Sequence, residues 1–268
     1  MREAGEVIPV KLPIIGRMWA TTTYAATEAV LKNNKQFVLE GKNAGKSGVA
    51  GMQWWMPKSI RLLATNMLAK DEPDHRRLRK LVDQAFARHN IQAMRGDIEA
   101  RADRLLEALA GQDEVDLVGS YARKLPMEVI CDLLGLPEED RPVFSKWGES
   151  IASVNSVWGF IRFLPSLKKL TRYLQGQIEE VRLTSHEGII GRLVQAEEGG
   201  DRLTAEELVS MIFLLLVAGF ETTTNLVSGA VFDLETHAEQ KAWLLESPEE
   251  RMERAVEELS RHVSSIQG

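Results

Sequence analysis

The first 25 residues alternate as strands do, in VIPVKL at 7–12 and MWATTTY at 18–24, with Pro13 and Gly16 marking a turn between them. TEAVLKNN at 27–34 predicts a short helix, and 41–70 is irregular. From Asp71 onward apolar residues recur at helical spacing almost without a break. Helices are predicted over 72–86 (EPDHRRLRKLVDQAF), over 91–110 with Gly111 as terminator, and over 125–137 (LPMEVICDLLGLP), ending at Gly135 and Pro137. Weaker helical patterns run to about Glu198, where EEGGD reads as a loop. Thr204 is a natural N-cap and Glu207 completes a capping box. The helix it opens runs without proline to about Thr236, well beyond the usual ~11–12 residues. The pattern predicts a mainly α fold with a small N-terminal β element. It reads as one domain, with strands and an irregular region over 1–70 and a helical core over 71–268.

Composition narrows the classes. With 268 residues, 44% of them hydrophobic, the chain can bury a sizeable core. A net charge of -6, with no long basic stretch, argues against a nucleic-acid partner. The single cysteine, Cys131, excludes an internal disulfide framework and fits a reducing cytoplasm. The N-terminus MREAGEVIPV lacks the apolar core of a signal peptide. The longest apolar run, 208–220, is shorter than the roughly 18 residues of a membrane span, which predicts a buried core helix and no membrane.

Four segments carry candidate chemistry. QFVLEGKNAGKS resembles a strand entering a phosphate loop, but G-x-x-x-x-G-K-[ST] requires glycine at the position held by Glu40, whose carboxylate would repel phosphate. In 72–86, Leu78, Leu81, Val82, Ala85 and Phe86 share one arc, opposed by Arg76, Arg77, Lys80, Asp83 and Gln84. His75 and Arg79 fall with the apolar group, one turn apart, and want an anion; local pairing with Glu72 or Asp74 would also satisfy them. In LLLVAGFETTTNLV, 214–227, the neighbours of Glu221 predict burial, and an unpartnered buried carboxylate costs several kcal/mol. Gly219 costs ~1 kcal/mol relative to Ala in a helix, so it should admit something bulky. Thr222 can bond a carbonyl one turn back and loosen the ladder there, making Glu221 and Thr222 an acid–alcohol pair able to move protons. A salt-bridged Glu221 among packing threonines is the competing reading. Glu258 and Arg261 in RAVEELSRH lie three apart and can pair.

Together, in this order, the segments resemble the cytochrome P450 family, specifically its soluble bacterial haem-thiolate monooxygenases. HRRLR matches the H-x-x-x-R helix, which implies that His75 and Arg79 hold the haem propionates. AGFETT matches the long helix over the haem, implying an oxygen and substrate groove at Ala218 and Gly219 and proton delivery through Glu221 and Thr222. ELSR matches the E-x-x-R helix that braces the haem core through Glu258 and Arg261. The resemblance implies haem, O2, a small apolar substrate and a ferredoxin-type donor, with Arg76, Arg77 and Lys80 as candidates for docking it. Trp54, Trp55 and Met56 occupy a loop that lines the family's substrate pocket; ordinary surface aromatics are the alternative. The haem is expected to lie between the turns near residues 77 and 221.

One departure is severe. Family chains continue past the E-x-x-R helix to a loop bearing the cysteine that ligates iron, whereas this sequence stops at SSIQG. Cys131, in MEVICDLLG, reads as a small buried hydrophobe, so no metal ligand is assigned. The expected fold is therefore an incomplete cytochrome P450 domain, truncated before the thiolate loop and not competent alone. A non-catalytic helical remnant or binding protein that keeps the scaffold is the alternative.

Overall fold

Thr22 and Thr23 end the N-terminal hairpin sooner than the apolar pattern predicts. In the computed structural model, which describes residues 5–12, 16–44, 66–87, 91–152, 157–184, 188–198 and 200–265, β1 (Val7–Leu12) pairs antiparallel with β2 (Gly16–Thr21), Val7 facing Thr21 and Leu12 facing Gly16. The Thr22 hydroxyl donates to the Gly5 carbonyl at 2.5 Å, and the Thr23 hydroxyl accepts from the Ala26 N–H at 3.3 Å. Thr23 is thereby an N-cap, and α1 (Tyr24–Lys32) begins where the strand was expected to continue.

The described part of the phosphate-loop look-alike, up to residue 44, is held as a clasp. Glu40 is buried, its carboxylate receiving Lys70 Nζ at 3.1 Å and the Asp71 N–H at 3.3 Å. The Asp71 carboxylate in turn accepts the N–H groups of Leu39 (2.8 Å) and Glu40 (3.0 Å) and the Asn43 amide (2.7 Å), over a 3-10 turn at Gly41–Ala44. Asp71 ties this loop down with its side chain, and α2 (Asp74–Ala87) starts beyond it.

Along the rest of the chain the helices fall close to the predicted segments. A 3-10 turn at Ile91–Met94 opens α3 (Arg95–Glu107), which frays into turns before Gly111. A π-helical turn at Val118–Ala122, with no sequence signal, leads into α4 (Lys124–Leu134). Gly135 closes α4 at φ +80°, and a Cβ there would lie 2.9 Å from the Gly188 Cα, so both the conformation and the close approach require glycine. Then come α5 (Arg141–Ala152), α6 (Val157–Leu183) and α7 (Ile189–Gln195). EEGGD forms a short hairpin rather than a loop, β3 (Glu197–Glu198) pairing with β4 (Asp201–Arg202).

The capping box forms as expected: the Glu207 N–H donates to Thr204 Oγ1 at 3.2 Å, and the Thr204 N–H to Glu207 Oε2 at 2.8 Å. It opens α8 (Ala205–Thr236), followed by α9 (Ala238–Glu246) and α10 (Pro248–His262). By length and composition α8 could cross a membrane, its best 18-residue window having a mean hydropathy of 1.5, which exceeds the expectation from the 208–220 run. Its buried residues Leu208, Val209, Met211, Ile212, Leu216 and Phe220 mark it as a core helix.

Two compact units divide the chain: Met1–Ala87, Ser150–His186 and Ile190–Leu214 in one, Arg88–Glu149, Glu187–Ile189 and Leu215–Gly268 in the other. In the first, buried residues include Leu78, Leu81 and Val82 of α2 and Leu170, Leu174 and Ile178 of α6. In the second they include Met127, Ile130, Cys131 and Leu134 of α4 and Phe144, against whose ring Trp147 stands edge-on at 4.9 Å.

Candidate functional site

On α2, the predicted apolar arc is buried at Leu78, Leu81, Val82 and Ala85. His75 and Arg79 do not sink with it. Their side chains are 40% and 59% exposed and take local carboxylates, His75 Nδ1 facing Glu72 at 3.5 Å and Arg79 Nε binding Asp83 at 3.0 Å. These are surface pairs, each worth ~0–1 kcal/mol, so another anion can displace them. Asp83, not Glu72 or Asp74, serves Arg79, because it lies one turn on.

Arg77 departs from its expected place on a solvated face. It pairs with Asp201 at 3.2 Å and with Glu207, the same carboxylate that closes the capping box. Partial burial disfavours its charge, but attraction and hydrogen bonding by Glu207 and Asp201 prevail and hold its pKa above the ordinary arginine value. Arg77 is an internal tie from α2 to β4 and α8, and its charge is spent there. A cation predicted on an outer arc, 124 residues before Asp201, gave no sign of this partner.

In the other unit, Glu221 is exposed, not buried. The correction has a geometric cause. Positions 218, 221, 222 and 225 form one stripe of α8, and Ala218, Glu221 and Asn225 on it are exposed, with Thr222 partly so. The apolar neighbours that suggested burial, Leu216 and Phe220, face elsewhere and are buried. Thr222 Oγ1 donates to the Ala218 carbonyl at 2.5 Å, and Thr224 and Ser228 bond back to Phe220 and Thr224, each at 2.8 Å. The helix continues unbroken through these bonds. At the far end of the stripe, Asn225 donates to the Ser265 carbonyl at 3.1 Å.

Gly219 points off this stripe. A Cβ there would come within 2.9 Å of Ile130 Cδ1, so the bulky group it admits is an α4 side chain. The absent side chain therefore does not open a groove on the Glu221 face.

Glu258 and Arg261 pair in bidentate fashion on α10, with Nε–Oε2 at 2.8 Å and Nη2–Oε1 at 2.5 Å. The hydrogen bond from Arg261 holds the Glu258 carboxyl below the usual range, and the Arg261 guanidinium is raised in turn. Both border an open groove of about 870 Å³ with Asp233, His237 and Trp243. A second group escaped the sequence reading: Arg101 and Arg141 converge on Asp132, while Arg101 and Arg104 reach Glu128 at 3.3 and 2.5 Å. The Glu128 and Asp132 pair at i,i+4 spacing was its only sequence trace.

Cys131 is fully buried on α4. Burial pushes its thiol up to about 12; Arg141 opposes this, and Asp132 and Glu128 add to it. Its sulfur lies fully buried among α4 neighbours, which does not fit an iron ligand. His75 and Arg79, by contrast, are of a kind that fits haem propionates: an imidazole and a guanidinium one turn apart whose present partners are weak. Trp54, Trp55 and Met56 lie outside the described residues.

No family model matches the chain. It is 37% identical over 249 residues to the polyketide biosynthesis cytochrome P450 PksS of Bacillus subtilis, covering 92% of this chain and 60% of that protein. The solved PksS structure superposes with a TM-score of 0.83 over 98% of this chain and 64% of PksS, at 36% identity. The LnmZ cytochrome P450 hydroxylase of Streptomyces atroolivaceus gives a TM-score of 0.75 at 30% identity, covering 96% of this chain and 68% of LnmZ. P450BioI, solved in complex with hexadec-9Z-enoic acid ligated acyl carrier protein, gives 0.79 at 28% identity over 97% of this chain and 66% of P450BioI. The chain thus spans somewhat under two thirds of the length of PksS, and with these likenesses across nearly all its residues it belongs to the cytochrome P450 family.

Proposed function

We propose that the chain is part of a cytoplasmic haem-dependent monooxygenase. It would insert one oxygen of O2 into an apolar small molecule, with electrons from a ferredoxin-type donor. The observation that supports this reading is the open stripe of α8, where Glu221 stands exposed and Thr222 partly exposed next to the buried Leu216 and Phe220. A carboxylate and a hydroxyl one residue apart on such a stripe can pass protons to a reacting oxygen. Thr222 has its own proton on the Ala218 carbonyl, so its oxygen is free to accept another from outside and release its own in exchange.

Haem, when bound through a thiolate, supplies the electron push that favours O–O cleavage. His75 and Arg79 would exchange Glu72 and Asp83 for its propionates, gaining charge-assisted hydrogen bonds. Cys131, fully buried, does not fit that thiolate, so these 268 residues by themselves are expected to be inactive. That cysteine is the specific observation favouring the second reading, a helical scaffold or binding protein without haem chemistry.

The names of two relatives support a substrate class. PksS acts in polyketide biosynthesis by name, and P450BioI holds its fatty acyl group on a carrier protein. We extend this to an apolar acyl or polyketide chain, delivered while tethered to a carrier.

A chimera tests the proposal by joining this chain to the remainder of PksS. Reduced and exposed to carbon monoxide, the chimera should give the strongly red-shifted Soret band of thiolate ligation, and the 268-residue chain with added haem should not. A folded chimera that binds no haem would overturn the monooxygenase reading in favour of the scaffold.

A further inference from the structure

Among the described residues, no carboxylate answers three cations on α6. The helix buries Leu167, Leu170, Leu174 and Ile178 on one side. At 100° per residue, Lys168, Arg172 and Lys169 fall in that order within one arc of about 100° on the other side. All three are exposed, and none forms an ion pair with another described residue. The first acid further along the arc, Glu179, is already engaged by Arg182 at 2.9 Å. Gly176, on the same arc, has nothing near its Cβ direction, so the surface there is open to a close approach.

Many cations elsewhere are paired. Arg79, Arg95, Arg104 and Arg141 each hold a carboxylate, and the net charge is -6. An unanswered positive cluster on an acidic protein is a local attraction inside a repulsive field. It selects an acidic partner that presents carboxylates at short range and disfavours a long polyanion. From residue 165 to 176 the arc runs about 16 Å, the length of three helical turns and a suitable seat for one acidic helix.

We propose that Lys168, Lys169 and Arg172 dock the acidic carrier protein that delivers the tethered apolar substrate, which rests on the carrier-bound reading above. Exposed pairs are individually weak, so the complex forms fast, dissociates fast and fades with salt, as a carrier that must leave after each delivery requires.

The test is fluorescence anisotropy with the 268-residue chain and two probes. One is labelled acyl carrier protein ligated to hexadec-9Z-enoic acid, and the other is the free fatty acid. Charge reversal in Lys168→Glu/Lys169→Glu/Arg172→Glu should weaken carrier binding at least about tenfold and leave the free acid unaffected. The milder Lys168→Gln/Lys169→Gln/Arg172→Gln variant, with an unchanged thermal melt, should lie between. Equal carrier binding by all three proteins would overturn the docking face and leave the carrier-bound substrate standing. Free acid bound with no carrier binding would overturn the docking face and the carrier-bound reading while sparing the apolar substrate. Binding of neither probe would overturn the substrate reading as well. A labelled ferredoxin, measured in addition, that loses more affinity than the carrier on charge reversal would also overturn the assignment.

Discussion

At the scale of single residues, the proposal rests most heavily on Thr222. If its hydroxyl moves protons, Thr222→Ala in the haem-loaded PksS chimera should consume oxygen without matching product, and unchanged coupling would remove the role. Gly219 has a mechanical one. Ala at 219 gains ~1 kcal/mol of helix propensity but presses on Ile130 Cδ1, so Gly219→Ala alone should change stability by less than about 1 kcal/mol. In an Ile130→Val background the same change should stabilise, and a denaturation double-mutant cycle reads the difference. Cys131 is inert by burial. Its folded pKa lies above its unfolded value, so its neutral thiol contributes stability fully below about pH 8.5, lost as pH rises to about 12. Cys131→Ala should flatten that alkaline loss of stability. At this scale the sequence foresaw the burial of Cys131 and a bulky neighbour at Gly219. It misjudged Glu221, because a helix rich in Leu and Val can still leave one stripe open, and neighbours in sequence do not share a face.

Among the elements, α8 was the most legible: its capping box, its course to Thr236 and its apolar character all follow from local rules. What escaped was long-range. Arg77 looked solvated because its partners Asp201 and Glu207 lie on elements far along the chain, and the Asp71 clasp over 39–43 has the same origin. The π-helical turn at Val118–Ala122 has no compositional mark. Glu207 serves two contacts, the cap and Arg77. Glu207→Ala should therefore cost ~1–3 kcal/mol in thermal or denaturant unfolding, more than the loss of an ordinary cap. A cost below ~0.5 kcal/mol would mean that neither contact matters.

For the whole molecule, the family was legible because three motifs recur in order, each set by a local chemical need. The extent of the exposed apolar surface was legible only in outline. Phe232, Leu245 and Val256 on α8, α9 and α10 are exposed, and the isolated chain should bind a hydrophobic dye strongly and aggregate more readily as salt rises. Weak dye binding would contradict that. The central proposal is that His75 and Arg79 hold the haem propionates and that Cys131 does not ligate the iron. Haem titration of the isolated protein, followed by absorbance, tests it most directly. The account predicts binding that is weakened at least about tenfold by His75→Ala/Arg79→Ala and untouched by Cys131→Ala. Equal haem affinity in the His75→Ala/Arg79→Ala variant, or a spectrum that changes when Cys131 is removed, would contradict it.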